Sequence, residues 1–300
     1  MTGASGRLLL FGGSGQVGQA IQRHFPGHWN VSAPSSDVCG FSGDDFGHQV
    51  RDLVASFQPT LVVNAAAYTA VDDAEDDAAT AFRVNAEAPG QLASCCAAAG
   101  VRLVHLSTDY VFDGLGEQPY PPSAPARPLN VYGASKLAGE AAVMGAAPSS
   151  VVVRTAWVHA PGGANFIAKV APRLAAGESL NVVADQVGSP TAASTLAEVC
   201  LRLAADASVR GLMHVTDAGV ASWYDVACCV LETLRAQDAA EAGAGVRPVT
   251  SDAFPTRARR PRVSVLDTHE TWARLDWTPP HWRLGVTATT LARLSHTTAT

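Results

Sequence analysis

The feature that most constrains this chain is a glycine-rich turn placed directly after its first strand-like run. Arg7-Leu8-Leu9-Leu10-Phe11 is apolar without alternation, the pattern of a parallel strand buried on both faces. It ends in Gly12-Gly13-Ser14-Gly15-Gln16-Val17-Gly18, and helix-period residues continue from Gln16 to Phe25. Gly12 permits a tight turn, Gly15 lets a pyrophosphate approach the backbone, and Gly18 lets helix and strand pack closely. The unpaired N–H groups at the helix start then face the turn and suit a phosphate. A strand, such a turn and a helix at the first crossover point to a dinucleotide. An acid ending the second strand would hold a ribose hydroxyl, and a basic residue a 2′-phosphate. Val31 to Ser36 carries neither, so Asp37 and Val38 are the candidates for adenosine contact and the choice of dinucleotide stays open.

The alternation continues along the first half. Strands are expected over Trp29 to Ala33, Leu61 to Asn64, Val101 to Ser107 and Ser150 to Arg154. Helices fall between them at Phe46 to Phe57, Ala74 to Ala99 (broken near Pro89-Gly90) and Val131 to Met144. This spacing predicts the α/β class, a doubly wound parallel sheet with right-handed crossovers. The second half is less regular. Helices are expected at Phe166 to Ala176, Thr195 to Ala205 and Trp223 to Gln237, with strands at Leu180 to Val183 and Leu212 to Thr216. Residues 241–262 read as irregular and 295–300 as frayed. The division that follows is a dinucleotide-binding unit over 1–160, with a strand–helix return around 185–217. A substrate-side lobe then takes 161–184 and 218–300.

Tyr132-Gly133-Ala134-Ser135-Lys136 puts a phenol and an ammonium on one helix face, four residues apart. A free tyrosine hydroxyl ionises too high for easy proton exchange at neutral pH, and a nearby ammonium would favour the phenolate. Such a pair can protonate an oxygen that becomes an alkoxide when hydride reaches its carbon. Only two of the 21 basic residues are lysines, Lys136 and Lys169. A lysine retained in so arginine-rich a chain suggests work a guanidinium cannot do. Ser107-Thr108-Asp109 lies where a parallel strand ends, the usual place for ligands in such sheets. A hydroxyl of Thr108 or Ser107 could polarise a carbonyl and Asp109 could orient a sugar hydroxyl, whereas Tyr110, Phe112, Asp113 and Gly114 read as core and turn. Ala65 to Thr69 supplies small residues beside a flat ring, and Asn85 reads equally as a structural hydrogen-bonding residue or a cofactor contact.

Composition excludes other classes. Hydrophobic residues make up 47% and charged residues 16%, which leaves no room for disorder and ample material for a core. The longest apolar stretches, such as Leu61 to Ala67, are far short of a bilayer span, and no leader-like segment is expected at Met1 to Gly6. A net charge of −6 without a basic stripe argues against nucleic acid. Six cysteines without ligand spacing read as reduced thiols of a cytoplasmic protein. Arg257, Arg259, Arg260 and Arg262 crowd into six residues beside Pro255 and Pro261, and guanidinium groups such as those of Arg259 or Arg260 suit an anionic phosphate group.

Taken in order, the glycine turn, NAAAYTAVD (64–72), STDYVFDG (107–114), YGASK with LAGE (132–140), RTAWV (154–158), DQVGSPT (185–191), WYDVA (223–227) and FPTRARRP (254–261) resemble the dTDP-4-dehydrorhamnose reductases. These are extended short-chain dehydrogenases/reductases of Rossmann type, and the resemblance runs from about Arg7 to Leu291. It implies NAD(P)H-dependent reduction of the C4 keto group of a dTDP-4-keto-6-deoxy sugar, with NADPH as cofactor and NADH as the alternative. Thr108, Tyr132 and Lys136 would be catalytic, with Tyr132 as proton donor. Gly15, Gln16, Val17, Ala67, Tyr68, Thr69, Tyr132 and Lys136 would contact the cofactor, alongside Gly12 and Gly18 of the turn. Thr108, Asp109 and Trp157 would contact the sugar nucleotide. Two departures matter. His159 stands where the family often has tyrosine, and Gln16 to Phe25 lacks the acid through which some members share Mg²⁺ in a dimer, so no metal is expected and the chain is a monomer or homodimer. A non-catalytic cofactor-sensing subunit and a nucleotide-sugar epimerase are the competing functions.

Overall fold

The computed structural model of the chain describes residues 6–297; the polar lead-in over residues 1–5 and residues 298–300 lie outside the described residues. The first half alternates as β1 (Arg7–Phe11), α1 (Gln16–His24), β2 (Asn30–Ser32), α2 (Phe46–Phe57), β3 (Leu61–Asn64), α3 (Ala78–Phe82), α4 (Ala88–Ala98), β4 (Arg102–Thr108), α5 (Val131–Ala146) and β5 (Val151–Thr155). The second half adds β6 (Val158–His159), α6 (Phe166–Ala175), β7 (Ser179–Val183), β8 (Val187–Gly188), β9 (Thr191–Ala192), α7 (Ala193–Ala205) and β10 (Gly211–His214). It ends with β11 (Ala221–Ser222), α8 (Trp223–Arg235), β12 (Gly245–Val249), α9 (His269–Leu275) and α10 (Trp282–Thr297).

Six strands form one parallel sheet in the order β10-β5-β4-β3-β1-β2. Unalternated apolar strands are buried on both faces. Leu8 and Leu10 pack with Ile21 of α1 and Leu196, Val199 and Leu203 of α7, while Leu9 and Phe11 pack with Val50, Leu92 and Val143 of α2, α4 and α5. The doubly wound α/β expectation therefore holds. Strand order reverses at β1, with β2 on one side and β3 on the other, so the crevice past their carboxyl ends is the switch point where such sheets bind ligands. A further cluster, built on Ile167, Leu174, Val182, Val230, Leu234 and Val286, joins α6, β7, α8 and α10 beyond that crevice.

Two sequence expectations change and one is sharpened. The helical region over residues 74–99 is interrupted just before Pro89. A 3-10 turn (Asp73–Glu75), α3, a π-helical turn (Arg83–Glu87) and α4 follow in succession, and Pro89 sits in the first turn of α4. Proline has no N–H to give the preceding turn, and just before it the Ala88 N–H reaches back five residues to the Arg83 carbonyl. Residues 241–262 are not wholly irregular, because Gly245–Val249 pairs in parallel with β7. Helix α10 continues through Ser295 to Thr297, where fraying was expected.

Candidate active site

The glycine turn sits at the switch point. Gly12 has φ +80°, and a Cβ there would lie 2.6 Å from the Ala65 backbone, so only glycine lets β1 and β3 end this close together. Gly18 is buried against the Gly12 carbonyl, whereas Gly15 is exposed, though a Cβ there would still fall 3.3 Å from that carbonyl. Val17 packs into the core beneath. Gln16 turns towards α6, its Oε1 accepting from Asn165 Nδ2 at 2.7 Å. A cleft of about 710 Å³ opens over this turn, walled by Gly12 to Gly15, Ala33 to Ser36, Cys39 and Ala65 to Ala67. Asp37 and Val38 do not belong to that wall: they sit exposed on the turn beyond it, Val38 at 55%. The wall after β2 is Ala-Pro-Ser-Ser, which presents hydroxyls and no carboxylate.

Tyr68 and Thr69 extend from the same β3 end. Asn85, fully buried on the π turn, fixes that segment: its Oδ1 accepts from Tyr68 N at 2.8 Å, and its Nδ2 donates to Tyr68 O and Ser135 Oγ, each at 3.0 Å. Asn85 is thus a structural clasp between the β3 loop and α5. Replacing it by alanine leaves buried groups unpaired at about 1–3 kcal/mol each. Asn85→Ala should therefore lower the urea midpoint clearly, and an unchanged midpoint would show the clasp to be dispensable.

Strand β4 and helix α5 bring the reacting candidates together. Asn130 caps α5 by accepting from Gly133 N at 2.8 Å, and Glu75 accepts from Val131 N at 2.8 Å. At Gly133 a Cβ would fall 2.1 Å from the Tyr110 carbonyl. That close approach sets the start of α5 against the turn after β4, so Tyr132 lies beside Thr108. Burial pushes the Tyr132 hydroxyl up to about 12, with the Thr108 hydroxyl acting in the opposite direction. Lys136, 2% exposed, donates to the Leu106 carbonyl at 2.6 Å. Burial lowers it to about 8, partly offset by Glu140. The expected lowering of Tyr132 by Lys136 is therefore not found. Lys136 is buried and Tyr132 half-buried, and removal from water disfavours the charged form of each.

Neighbouring expectations also change. Ser107 faces away from the site and donates to Glu140 at 2.5 Å. Thr108 donates to Asp109 Oδ1 at 3.1 Å, and Ser264 donates to Asp109 Oδ2 at 2.5 Å. Burial raises Asp109 to about 6. Trp157 holds a left-handed φ of +48° and lies flat on Trp223, ring centroids 3.6 Å apart. His159 is buried against Thr289 at 3.0 Å and pushed down to about 4, a neutral hydrogen-bonding group. Arg260 is not free for a diphosphate: Asp72 grips it from two sides at 2.7 and 3.2 Å, and Arg257 is paired with Asp73 and Asp76. Arg259 remains exposed, and its carbonyl accepts from Asn130 Nδ2. The paired carboxylates lie almost two hundred residues earlier, which sequence spacing could not reveal.

Comparison with known proteins agrees with this architecture. A family model described as the RmlD substrate binding domain matches residues 6–295. A dTDP-4-dehydrorhamnose reductase of Mycobacterium tuberculosis is 41% identical across the whole chain and 97% of its own length. The chain belongs to the dTDP-4-dehydrorhamnose reductase family. A probable dTDP-4,6-dihydroxy-2-methyloxan-3-one 4-ketoreductase of Streptomyces antibioticus is similar as well, at 39% identity over 89% of this chain and 88% of the relative. Among solved structures, the reductase of Clostridium acetobutylicum superposes with a TM-score of 0.86 at 31% identity, covering 94% of this chain and 98% of that one. The Bacillus anthracis reductase, solved in complex with NADP, gives 0.87 at 28% identity, with 96% and 99% covered. As a member of this reductase family the chain is an oxidoreductase, and no helix among its described residues is long and apolar enough to cross a membrane.

Proposed function

We infer that this chain is an NAD(P)H-dependent reductase of the C4 keto group of a dTDP-4-keto-6-deoxyhexose, converting dTDP-4-dehydro-L-rhamnose to dTDP-L-rhamnose. The observation that carries the reading is the meeting of Thr108, Tyr132 and Lys136 at the carboxyl end of β4, beside the glycine cleft, in a member of this family. NADPH is the cofactor and NADH the alternative. The cleft fits a dinucleotide, since a Cβ at Gly12 or Gly18 would fill the turn and the serines after β2 offer no carboxylate to repel a 2′-phosphate. We take the protein to be cytoplasmic, a monomer or homodimer, acting on a small sugar nucleotide rather than on nucleic acid or a membrane.

When bound, a reduced nicotinamide supplies hydride to the carbonyl carbon. In this reading the Tyr132 hydroxyl, pushed up to about 12, is fully protonated at neutral pH and carries the proton that the new alkoxide takes. Thr108 turns its hydroxyl from Asp109 to the carbonyl oxygen and polarises it. Lys136 would hold the nicotinamide ribose and supply positive charge to the phenolate left behind. Gly15, Gln16, Val17, Ala67, Tyr68 and Thr69 would line the cofactor, and Asp109 and Trp157 the sugar. The test of the reading is cofactor oxidation at 340 nm with enzymatically generated dTDP-4-keto-6-deoxy-L-mannose; absence of turnover with either NADPH or NADH would overturn it.

With Arg260 held by Asp72, the substrate diphosphate falls to Arg259. Arg259→Ala should weaken dTDP binding roughly tenfold, the scale of one charge-assisted hydrogen bond, and leave NADPH binding unchanged. Calorimetric titration with dTDP checks this. Binding equal to wild type would place the diphosphate elsewhere.

A further inference from the structure

Behind Tyr132 and Lys136 lies a layer of buried polar groups that the reaction as described does not use. Glu140 stands one helical turn beyond Lys136 on the same face of α5. Its carboxylate is gripped by Arg154, with Nε to Oε1 at 2.8 Å and Nη2 to Oε2 at 2.6 Å, and Ser107 Oγ donates to the same Oε1 at 2.5 Å. Arg154 and Ser107 are registered neighbours on β5 and β4, and His214 of β10 follows Arg154 in the same row. Glu140 and Arg154 are both buried. A buried ion pair is weak evidence for stability, since desolvation offsets most of the attraction. Its position next to the one buried lysine asks for another explanation.

We propose that Glu140 is a positioning residue for the reduction: its carboxylate, clamped by Arg154 and Ser107, holds Lys136 as the ammonium through the pH range in which the enzyme works. The inference rests on the proposed role of Lys136. Among the described residues Lys136 makes no ion pair, and its one hydrogen bond there is to a neutral carbonyl. His105 on β4 and Glu140 on α5 interact with Lys136 electrostatically, Tyr132 lies one turn earlier on α5, and Arg154 on β5 and His214 on β10 stand in the row behind Glu140. Asp109 and Tyr110 stand at the turn after β4, Glu75 accepts from the start of α5, Cys95 and Cys96 lie on α4, and Arg83 and Glu87 of the π turn are exposed, Arg83 paired with Asp44. His105 and His214 are buried and held neutral. Asp109 is occupied by Ser264 and Thr108, and Glu75 by the helix start. Glu140 is the carboxylate whose charge acts on Lys136. A helix that carries Tyr, Lys and Glu at successive turns thus carries proton donor, cation and counter-charge in one rigid element.

The sequence makes the test direct, because Lys136 and Lys169 are the only lysines and Lys169 is exposed on α6. In protein labelled with [¹³Cε]lysine, two resonances report the two titrations without any ligand or turnover. The wild-type Lys136 midpoint should lie near 8. In Glu140→Gln it should fall by about one unit or more, since loss of a neighbouring opposite charge disfavours the ammonium, while Lys169 does not move. The double variant E140Q/R154M, which leaves no unpaired guanidinium buried, should show the same fall. If Glu140 serves only to satisfy Arg154, the double variant returns Lys136 to its wild-type midpoint, and the proposal is overturned. An unmoved midpoint in Glu140→Gln overturns it as well. Neither outcome depends on the substrate, so a failure of the functional reading would be seen separately in the reductase assay.

Discussion

Tyr132→Phe should reduce turnover by about 10² to 10⁴ while NADPH affinity stays within a few-fold of wild type, the range expected when a general acid alone is removed. The phenylalanine ring fills the same space against Tyr110, whose ring meets that of Tyr132 edge-on with centroids 5.8 Å apart. Packing is therefore preserved and only the hydroxyl beside Thr108 is lost. Steady-state rates at saturating substrate, with NADPH titrated by fluorescence, separate the two effects. Turnover within a few-fold of wild type would remove Tyr132 from the reaction.

Lys136→Arg should be nearly as damaging although the charge is kept. Lys136 is 2% exposed and its ammonium fits a single carbonyl acceptor at 2.6 Å. A planar guanidinium is larger, and overpacking a tight interior shifts neighbours at a cost of about 1–3 kcal/mol. The displaced neighbours would be Leu106 and the start of α5. The expected result is loss of about 10² in turnover together with weaker NADPH binding, whereas Lys169→Arg, on the exposed side of α6, should leave both unchanged. An active Lys136→Arg enzyme would show that charge alone suffices. Activity in the wild type should fall above pH 8, because Lys136 sheds its proton there.

The parallel sheet was legible because its strands declare themselves. Leu8 to Phe11, Leu61 to Asn64 and Val151 to Thr155 are apolar without alternation, and only burial on both faces makes such runs stable in a soluble fold. Strand β12 was not legible. Its Gly-Val-Arg-Pro-Val sequence is half exposed and contains a proline, so its pairing with β7 comes from tertiary packing rather than propensity. The two-residue strands β6, β8, β9 and β11 are too short to leave a pattern. The interruption near Pro89 was legible because proline is excluded from a helix interior, but no local signal announces that it takes the form of a π turn. At the site, Thr108, Tyr132 and Lys136 could be read because strand end and helix face are sequence-local properties. Arg260 could not be assigned, since its partner Asp72 is 188 residues away and charge pairing at that distance leaves no trace in spacing. Glu140 was visible as a fourth residue after Lys136, but nothing local shows that Arg154 and Ser107 bury it.

The central claim is that this chain delivers hydride to C4 of a dTDP-4-keto-6-deoxy sugar. Incubating the protein with dTDP-4-keto-6-deoxy-L-mannose and [4-²H]NADPH of the transferring face, then reading the product by NMR, tests it most directly. Deuterium at C4 of dTDP-L-rhamnose, in step with loss of absorbance at 340 nm, is the predicted result. A product with no deuterium at C4, or deuterium retained on the cofactor while the sugar changes configuration, would contradict the account and favour an epimerase on the same fold.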